Sequence, residues 1–459
     1  MAEFPELLKH ANVIPLFKKG DPQDPTNYRP ISITGALAKV FEQALANQIT
    51  EHCERFNIFS NTQYGYKKKH STIDALLYCT EYIRKEIDEK RSVYGAFLDL
   101  SKAFDSISHQ LILNKLMNYG FNNLSVQLLK SYLCCRSQQV VLNNIKSDII
   151  ELKQGVPQGT VLGPLLFNLY VNDLALAVDN NVKIVQYADD TFIFSSNENT
   201  DMGIHHLENN ISKLLKYFSA NFLKVNKDKT EFIVFETPNQ ERSRNKKLIL
   251  TIDNEKIVEK ENVKYLGVYL DKFLKYEFEV KHILQKMAES IKVLQNIKNA
   301  LPDSMKLLLI NSIVLSHIHY PAILLTGISQ SLIITLEKQL SWAVKATFNR
   351  KKYDSSSDLR RKFSILPINK QLHARSIIYF WRLINNDLPA FQKRELPTFQ
   401  VKFNKRTKQY HLHNRNKTKL LDQSFISTTL KLWNELNFDI RTNKTFSRLT
   451  IKRKLKTTS

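Results

Sequence analysis

The chain has 459 residues, more than one ordinary core accommodates, so two or three domains are expected. Its 43% hydrophobic and 10% aromatic content excludes wholesale disorder, and no window of roughly eighteen uncharged apolar residues offers a membrane span. Sixty-seven basic residues against 44 acidic ones give a net charge of +23, which favours a polyanionic partner whose phosphates Lys and Arg neutralise.

The opening MAEFPELLKH carries two acids and a proline where a secretory signal needs a basic start and an apolar run. Up to about residue 75, turn signals dominate: Gly20-Asp21-Pro22, Asp24-Pro25 and Arg29-Pro30. After Ile31, the spacing of Leu37, Val40, Phe41, Leu45 and Ile49 predicts a helix. Residues 73–90 read as a second helix, ending in the charged run from Arg84 to Arg91. Cys53, Cys79, Cys134 and Cys135 show no CxxC spacing, so a reduced, intracellular protein without a zinc site is expected.

Val93 to Leu98 is a short apolar run ending on Asp99, which suits a buried strand. A largely helical stretch from Leu111 to Leu133 follows, then a glycine-containing loop from Gln154 to Gly163 and an apolar helix from Pro164 to about Val178. Val182 to Tyr187 is a second strand that also stops at acids, Asp189 and Asp190, and Phe192-Ile193-Phe194 returns from it as a hairpin. A helix over 205–224, a strand over 232–235 and a polar surface loop over 237–250 come next. Beyond Leu270 helical patterns dominate to about residue 390, and residues 401–459 hold 15 Lys or Arg against 3 Asp or Glu.

Adjacent aspartates on a tight hairpin repel each other, and burying them without compensation is costly. A divalent cation removes that cost, and an all-oxygen site suits Mg²⁺, which takes one or two carboxylates plus substrate phosphates. Nucleotidyl transfer requires such a site: two metals stabilise the attacking 3′-oxygen and the leaving pyrophosphate. Asp99 from one strand and Asp189 and Asp190 from the hairpin supply the carboxylates.

The nonapeptide Phe97-Leu98-Asp99-Leu100-Ser101-Lys102-Ala103-Phe104-Asp105 resembles the first palm motif of reverse transcriptases of the LINE, or non-LTR retrotransposon, class. Tyr187-Ala188-Asp189-Asp190 is similar to their second carboxylate motif, and Gln154-Gly155-Val156-Pro157-Gln158-Gly159 to the loop that holds template and nucleotide. Asn27-Tyr28-Arg29-Pro30-Ile31-Ser32, preceded by Phe17-Lys18-Lys19-Gly20-Asp21, and Gln63-Tyr64-Gly65-Tyr66 with His70-Ser71-Thr72 resemble the fingers motifs. Asn226-Lys227-Asp228-Lys229-Thr230 and Tyr265-Leu266-Gly267 resemble the last palm motifs, and Lys431-Leu432-Trp433-Asn434 an element of jockey-like members.

The resemblance implies an α+β fold of the right-hand polymerase type, with fingers and palm around an antiparallel sheet, a helical thumb and a basic helical C-terminal region. Residues 1–270 are expected to form fingers and palm, 271–390 the thumb or connector, and 391–459 a nucleic-acid contact. It implies that Asp99 and Asp189 bind two Mg²⁺ ions, with Mn²⁺ as a substitute, and that Asp190 is a further ligand or an electrostatic support. Asp105, six residues after Asp99, reads as structural. Phe104 is placed as a steric gate against a ribose 2′-hydroxyl. Arg29 with Lys18 or Lys19 is expected to grip the incoming triphosphate, since cations stabilise a transferring phosphoryl group. Lys229 is expected to protonate pyrophosphate, and Gln158 and Gly159 to lie beneath the nascent base pair, where glycine permits close approach. Tyr410, Phe425, Trp433 and Phe438, interleaved with the terminal basic residues, are candidates for stacking on bases.

The implied activity is RNA-directed DNA polymerisation on an RNA template, extending a DNA primer or target with dNTPs, in the nucleus and away from membranes. Full elements of the class carry an endonuclease ahead of the polymerase, so nicking is expected to be supplied elsewhere or lost, and the N-terminal extension is expected to be mostly missing. A catalytically inactive, nucleic-acid-binding remnant of such an element is the alternative, and an intron maturase-like role a weaker third.

Overall fold

The computed structural model describes residues 2–244, 246–351, 353–385, 401–404, 409–412 and 417–436. Turn-rich sequence near the start conceals two strands, β1 (His10–Phe17) and β2 (Tyr28–Ile33), paired antiparallel with Leu16 opposite Arg29. Helices α1 (Ala36–Arg55) and α2 (Thr72–Asp88) follow, then strand β3 (Ser92–Ser101). The largely helical stretch from Leu111 to Leu133 comprises two helices, α3 (His109–Asn118) and α4 (Asn123–Leu133). Strands β4 (Arg136–Leu142), β5 (Ile145–Lys146) and β6 (Ile150–Leu152) complete a five-stranded sheet in which β4 runs parallel to β1.

After α5 (Leu162–Tyr170), the hairpin β7 (Lys183–Tyr187) and β8 (Asp190–Asn197) precedes α6 (Thr200–Ala220) and the long strand β9 (Lys224–Phe235). These strands build the central antiparallel sheet in the order β7-β8-β3-β9. Residues 237–250 are not the loop expected of them: α7 (Pro238–Arg244) leads into the hairpin β10 (Ile249–Ile252) and β11 (Glu255–Val258). Arg244 is buried there, 2.6 Å from Glu236 and 2.7 Å from Glu259, so its charges are paired inside rather than solvated. A second hairpin joins β12 (Asn262–Tyr265) to β13 (Val268–Asp271).

Helices then take over, as the sequence patterns indicate: α8 (Glu277–Ile297), α9 (Asp303–Leu309), α10 (Ser316–His319), α11 (Gln330–Thr347), α12 (Ser357–Lys362) and α13 (Ile368–Ile384). Among the described C-terminal residues, β14 (Val401–Asn404) pairs with β15 (Gln409–Leu412), ahead of α14 (Lys419–Asp422) and α15 (Phe425–Glu435). The region is therefore mixed rather than purely helical. The boundary expected at 390–391 and most of the basic tail lie outside the described residues.

Both faces of the central sheet are covered, which is why its strands read as unbroken apolar runs. Tyr94, Ala96, Leu98, Ile193, Phe232 and Val234 point to one side, against Leu116, Leu166 and Leu214 of α3, α5 and α6. Phe97, Phe192, Phe194, Ile233 and Phe235 point to the other, into a core that runs through Tyr265, Ile283, Leu340 and Phe380 to Trp433. Phe97 and Phe192 stack there with ring centroids 4.0 Å apart.

Helix α2 ties this second core together. Its Asp74, Glu81, Arg84, Glu86 and Asp88 are buried, contrary to the solvated end that a charged run usually marks. Arg84 donates to the Leu420 carbonyl at 2.8 Å, Glu81 accepts from the Phe425 amide at 2.8 Å, and Asp88 accepts from the Thr418 amide at 2.6 Å. Tyr379 of α13 donates to Asp74. Burying these charges is tolerable because each has a fixed hydrogen-bond partner.

Candidate active site

Strand β3 carries Asp99 to the end of the central sheet, where a register shift between Phe97 and Asp99 sets it opposite Asn226 of β9. On the other side, Tyr187 pairs with Asp190, leaving Ala188 and Asp189 as a two-residue turn. Ala188 adopts φ +58°, a left-handed conformation that costs a non-glycine residue about 1–2 kcal/mol. The neighbouring strands β3 and β8 thus bring all three predicted aspartates to one end of the sheet.

Electrostatics couple the three carboxyls. Burial pushes the Asp189 carboxyl above its ordinary range, Asp99 adds to the rise, and Arg29 and Lys18 oppose it. Asp190 touches solvent, but protein packed around it desolvates the carboxyl; with Asp189 and Asp99 nearby, it is pushed up to about 6. The ammonium of Lys229 lies 2.7 Å from Asp99 Oδ2. Arg29 and Lys18 therefore reach the site by charge, and Lys229 by contact. Lys19 is exposed in the turn after β1, and among the described residues nothing ties it to the carboxylates.

These groups call for positive charge, and their donors are all oxygen, so they fit Mg²⁺ better than a soft metal. Among the described residues no three Asp, Glu, His or Cys side chains make a ready-made metal cage.

The glycine-containing loop closes the site from the side of β2. Gln158 donates its side-chain amide to Asp105 Oδ1 at 3.1 Å, and its carbonyl accepts from the Ser32 amide at 2.7 Å. Gly159 sits at φ +107°, and a Cβ there would stand 2.8 Å from the Ser32 carbonyl oxygen. Glycine is required by the approach of β2 as well as by its backbone angle. The Phe104 ring stacks on Phe167 at 4.9 Å and meets the edge of Tyr66 at 6.4 Å. Burial raises the Tyr66 hydroxyl above its ordinary range, and the charge of Asp189 adds to the rise while Arg29 opposes it.

Two supporting residues stand out in the structure: Glu42, which the sequence motifs do not include, and Gln63, which lies in a fingers motif but has no role assigned by sequence. Glu42 is fully buried on α1 and accepts from the Val161 and Leu162 amides at 2.7 and 3.2 Å, capping α5 and fixing the loop before it. Gln63, also buried, hydrogen-bonds to the backbone of Ala188. Polar residues at helical core positions, such as Glu42 between Ala38 and Ala46, were the available signal.

Two of the proposed stacking aromatics do not serve that role. Phe425 and Trp433 are 4% and 0% exposed, packed in the core against Tyr379 and Phe380, so no base can reach their faces. Tyr410 is half-buried against Phe403, and Phe438 lies outside the described residues.

An antiparallel sheet that presents acids at the tips of adjoining strands, flanked by a two-stranded basic arm and followed by a helical unit, defines a right-hand polymerase. The chain belongs to the reverse transcriptase (RNA-dependent DNA polymerase) family, whose pattern matches residues 17–270. It is 29% identical over 282 residues to the probable RNA-directed DNA polymerase from transposon BS of Drosophila melanogaster, covering 60% of this chain and 30% of that one. The RNA-directed DNA polymerase from mobile element jockey of the same species is 26% identical over 289 residues, covering 61% and 31%. The chain thus spans about 30% of the length of these curated relatives. Apo telomerase from Candida tropicalis aligns in structure with a TM-score of 0.42 and 10% identity, covering 86% of this chain and 68% of that one. Among the described residues no helix is long and apolar enough to cross a membrane.

Proposed function

We propose that this chain is the RNA-directed DNA polymerase of a non-LTR retrotransposon, adding dNTPs to a DNA 3′-hydroxyl on an RNA template. The observation that carries the reading is the convergence of Asp99, Asp189 and Asp190 at one sheet end, inside the segment that matches the family. Asp99 and Asp189 would hold two Mg²⁺ ions, with Mn²⁺ as a substitute, and Asp190 would assist as a ligand or by its charge. Such ions stabilise the attacking and leaving oxygens of the phosphoryl transfer.

The chain's own groups do the rest. Arg29 and Lys18 bind and orient the triphosphate, because their charges already reach Asp189. Lys19, exposed beside them, is a lesser contributor. Lys229 holds a proton within reach of the reacting phosphates. Phe104 presents its ring edge to the sugar, and Asp105 holds the Gln158 side chain so that Gln158 and Gly159 form the floor under the nascent pair. Residues 1–270 act as fingers and palm, 271–390 as thumb, and 391–459 as a basic extension that adds nucleic-acid contacts. The template RNA, DNA primer and nucleus are the partners and place that fit this activity.

Extension of oligo(dT) on poly(rA) with Mg²⁺ by the purified chain, beside an Asp189→Ala control, tests the reading. Product from the wild type alone is expected. Equal signal from both, or none from either while RNA is still bound, would sink it.

A further inference from the structure

Strand β7 lies at the edge of the central sheet, and a short segment of chain from far upstream covers it. The Gln186 amide donates to the Thr62 carbonyl at 2.8 Å, and the Tyr64 amide donates to the Gln186 carbonyl at 2.8 Å. Gln63 is thereby set parallel to Gln186, two residues before Ala188 at the hairpin tip. Its side chain is 2% exposed and makes three hydrogen bonds with main chain. Oε1 accepts from the Gly65 amide at 2.8 Å and from the Ala188 amide at 3.0 Å, while Nε2 donates to the Ala188 carbonyl at 3.2 Å.

The carboxamide therefore grips both backbone groups of the residue whose left-handed conformation turns the chain into Asp189. Two neighbours hold the grip in place. Asn168 of α5, 1% exposed, donates to the Gly65 carbonyl at 2.8 Å. At Gly65 itself a Cβ would stand 2.4 Å from the Ala188 nitrogen, so only glycine lets the segment come this close. A water-exposed turn needs no such clamp. One that must keep a carboxylate fixed while charges move past it does, since residues held in sparsely populated conformations persist only when their surroundings over-determine them.

We infer that Gln63 is a positioning residue for catalysis, its buried carboxamide locking Ala188 so that Asp189 points at the shared metal site. The inference rests on the reading of Asp189 as a metal ligand. It implies a function for the Gln63-Tyr64-Gly65 motif distinct from nucleotide contact: the motif acts on the hairpin from behind.

The test compares wild type with Gln63→Met, which keeps length and burial but makes none of the three bonds. Two readouts are taken: Mn²⁺ binding to the primer–template complex followed by electron paramagnetic resonance, and kcat and KM for dTTP on poly(rA)/oligo(dT). Gln63→Met is expected to lower Mn²⁺ affinity and kcat about 10- to 100-fold, the usual effect of losing a partner that orients a metal ligand. KM and duplex affinity should move less than about threefold, as for a group that acts only on the chemical step. Unchanged Mn²⁺ affinity and kcat would overturn the inference, as would a loss shared equally by duplex binding and melting temperature. Should Gln63→Met fail to fold, Gln63→Leu removes the same three bonds with a side chain of similar size; a normal kcat and Mn²⁺ affinity in that variant overturns the inference too. If the wild type makes no product, the polymerase reading fails, and the Mn²⁺ titration alone decides the role of Gln63.

Discussion

Lys229 of β9 forms an ion pair with Asp99 of β3, Nζ to Oδ2 at 2.7 Å, across the neighbouring strands that carry the site. A cation already rests on the carboxylate proposed to hold metal, so the two compete for one oxygen. Lys229 is largely exposed at the outer end of its side chain and can swing away when a divalent ion arrives. Replacing it should separate its two roles. Lys229→Met is expected to reach half-maximal rate at lower Mg²⁺, while kcat falls by about 10²- to 10⁴-fold, the range for a lost proton donor. A Mg²⁺ titration of primer extension measures both, and an unchanged kcat would remove Lys229 from the chemistry.

Phe104 is held by Phe167 on one side and Tyr66 on the other, so its ring has a fixed place. Phe104→Val should open room for a 2′-hydroxyl and raise incorporation of UTP relative to dTTP, measured as the ratio of kcat/KM values. Ribonucleotide discrimination equal to that of wild type would rule out the gate.

Glu279 of α8 is 2% exposed, accepts from the Tyr269 amide at 2.8 Å, and is pushed up to about 7 by burial, which Lys264 only partly offsets. Its pKa is higher folded than unfolded, so the folded state binds the extra proton. Its contribution to stability is full below the unfolded value near 4.5 and is lost as pH rises through about 7. Glu279→Gln keeps the acceptor and removes the titration. Chemical denaturation should therefore find the variant more stable than wild type at pH 8, by an amount on the order of 3 kcal/mol, and by less than about 1 kcal/mol at pH 5. The same difference at both pH values would refute the assignment.

Trp433 is fully buried against Phe380 in the core that also holds Phe97 and Phe192 of the central sheet. Trp433→Ala should cost about 3–5 kcal/mol, the usual price of a large core truncation. The melt should stay a single transition that shifts as a whole. A separate early transition, with the rest melting as before, would show that the C-terminal helix is an independent unit.

The acids at strand ends were legible because chemistry and pattern coincide: an apolar run that stops on Asp99, and a second that stops on Asp189, leave few alternatives. Helix α1 was legible as a helix but not in its orientation. Leu37 and Val40 are 74% and 68% exposed, while Ala38, Glu42 and Ala46 face inward, because the loop amides above α5 need a carboxylate there. Strands β1 and β2 escaped notice since Ile14, Leu16 and Ile33 stay exposed and turn residues surround them. The polar string 237–250 contains Arg244, whose side chain is buried against two glutamates, and Trp433 belongs to the core although basic residues surround it in sequence. In each case a distant partner decided the environment, and local periodicity carries no record of distant partners.

The anchoring of residues 417–425 on α2 has a consequence for inheritance. A premature stop codon before this segment would leave Asp99, Asp189 and Asp190 encoded, yet it would remove the main-chain groups that Glu81, Arg84 and Asp88 bind there. A copy cut short there would keep its aspartates and lose part of what holds α2 in the core beneath the central sheet.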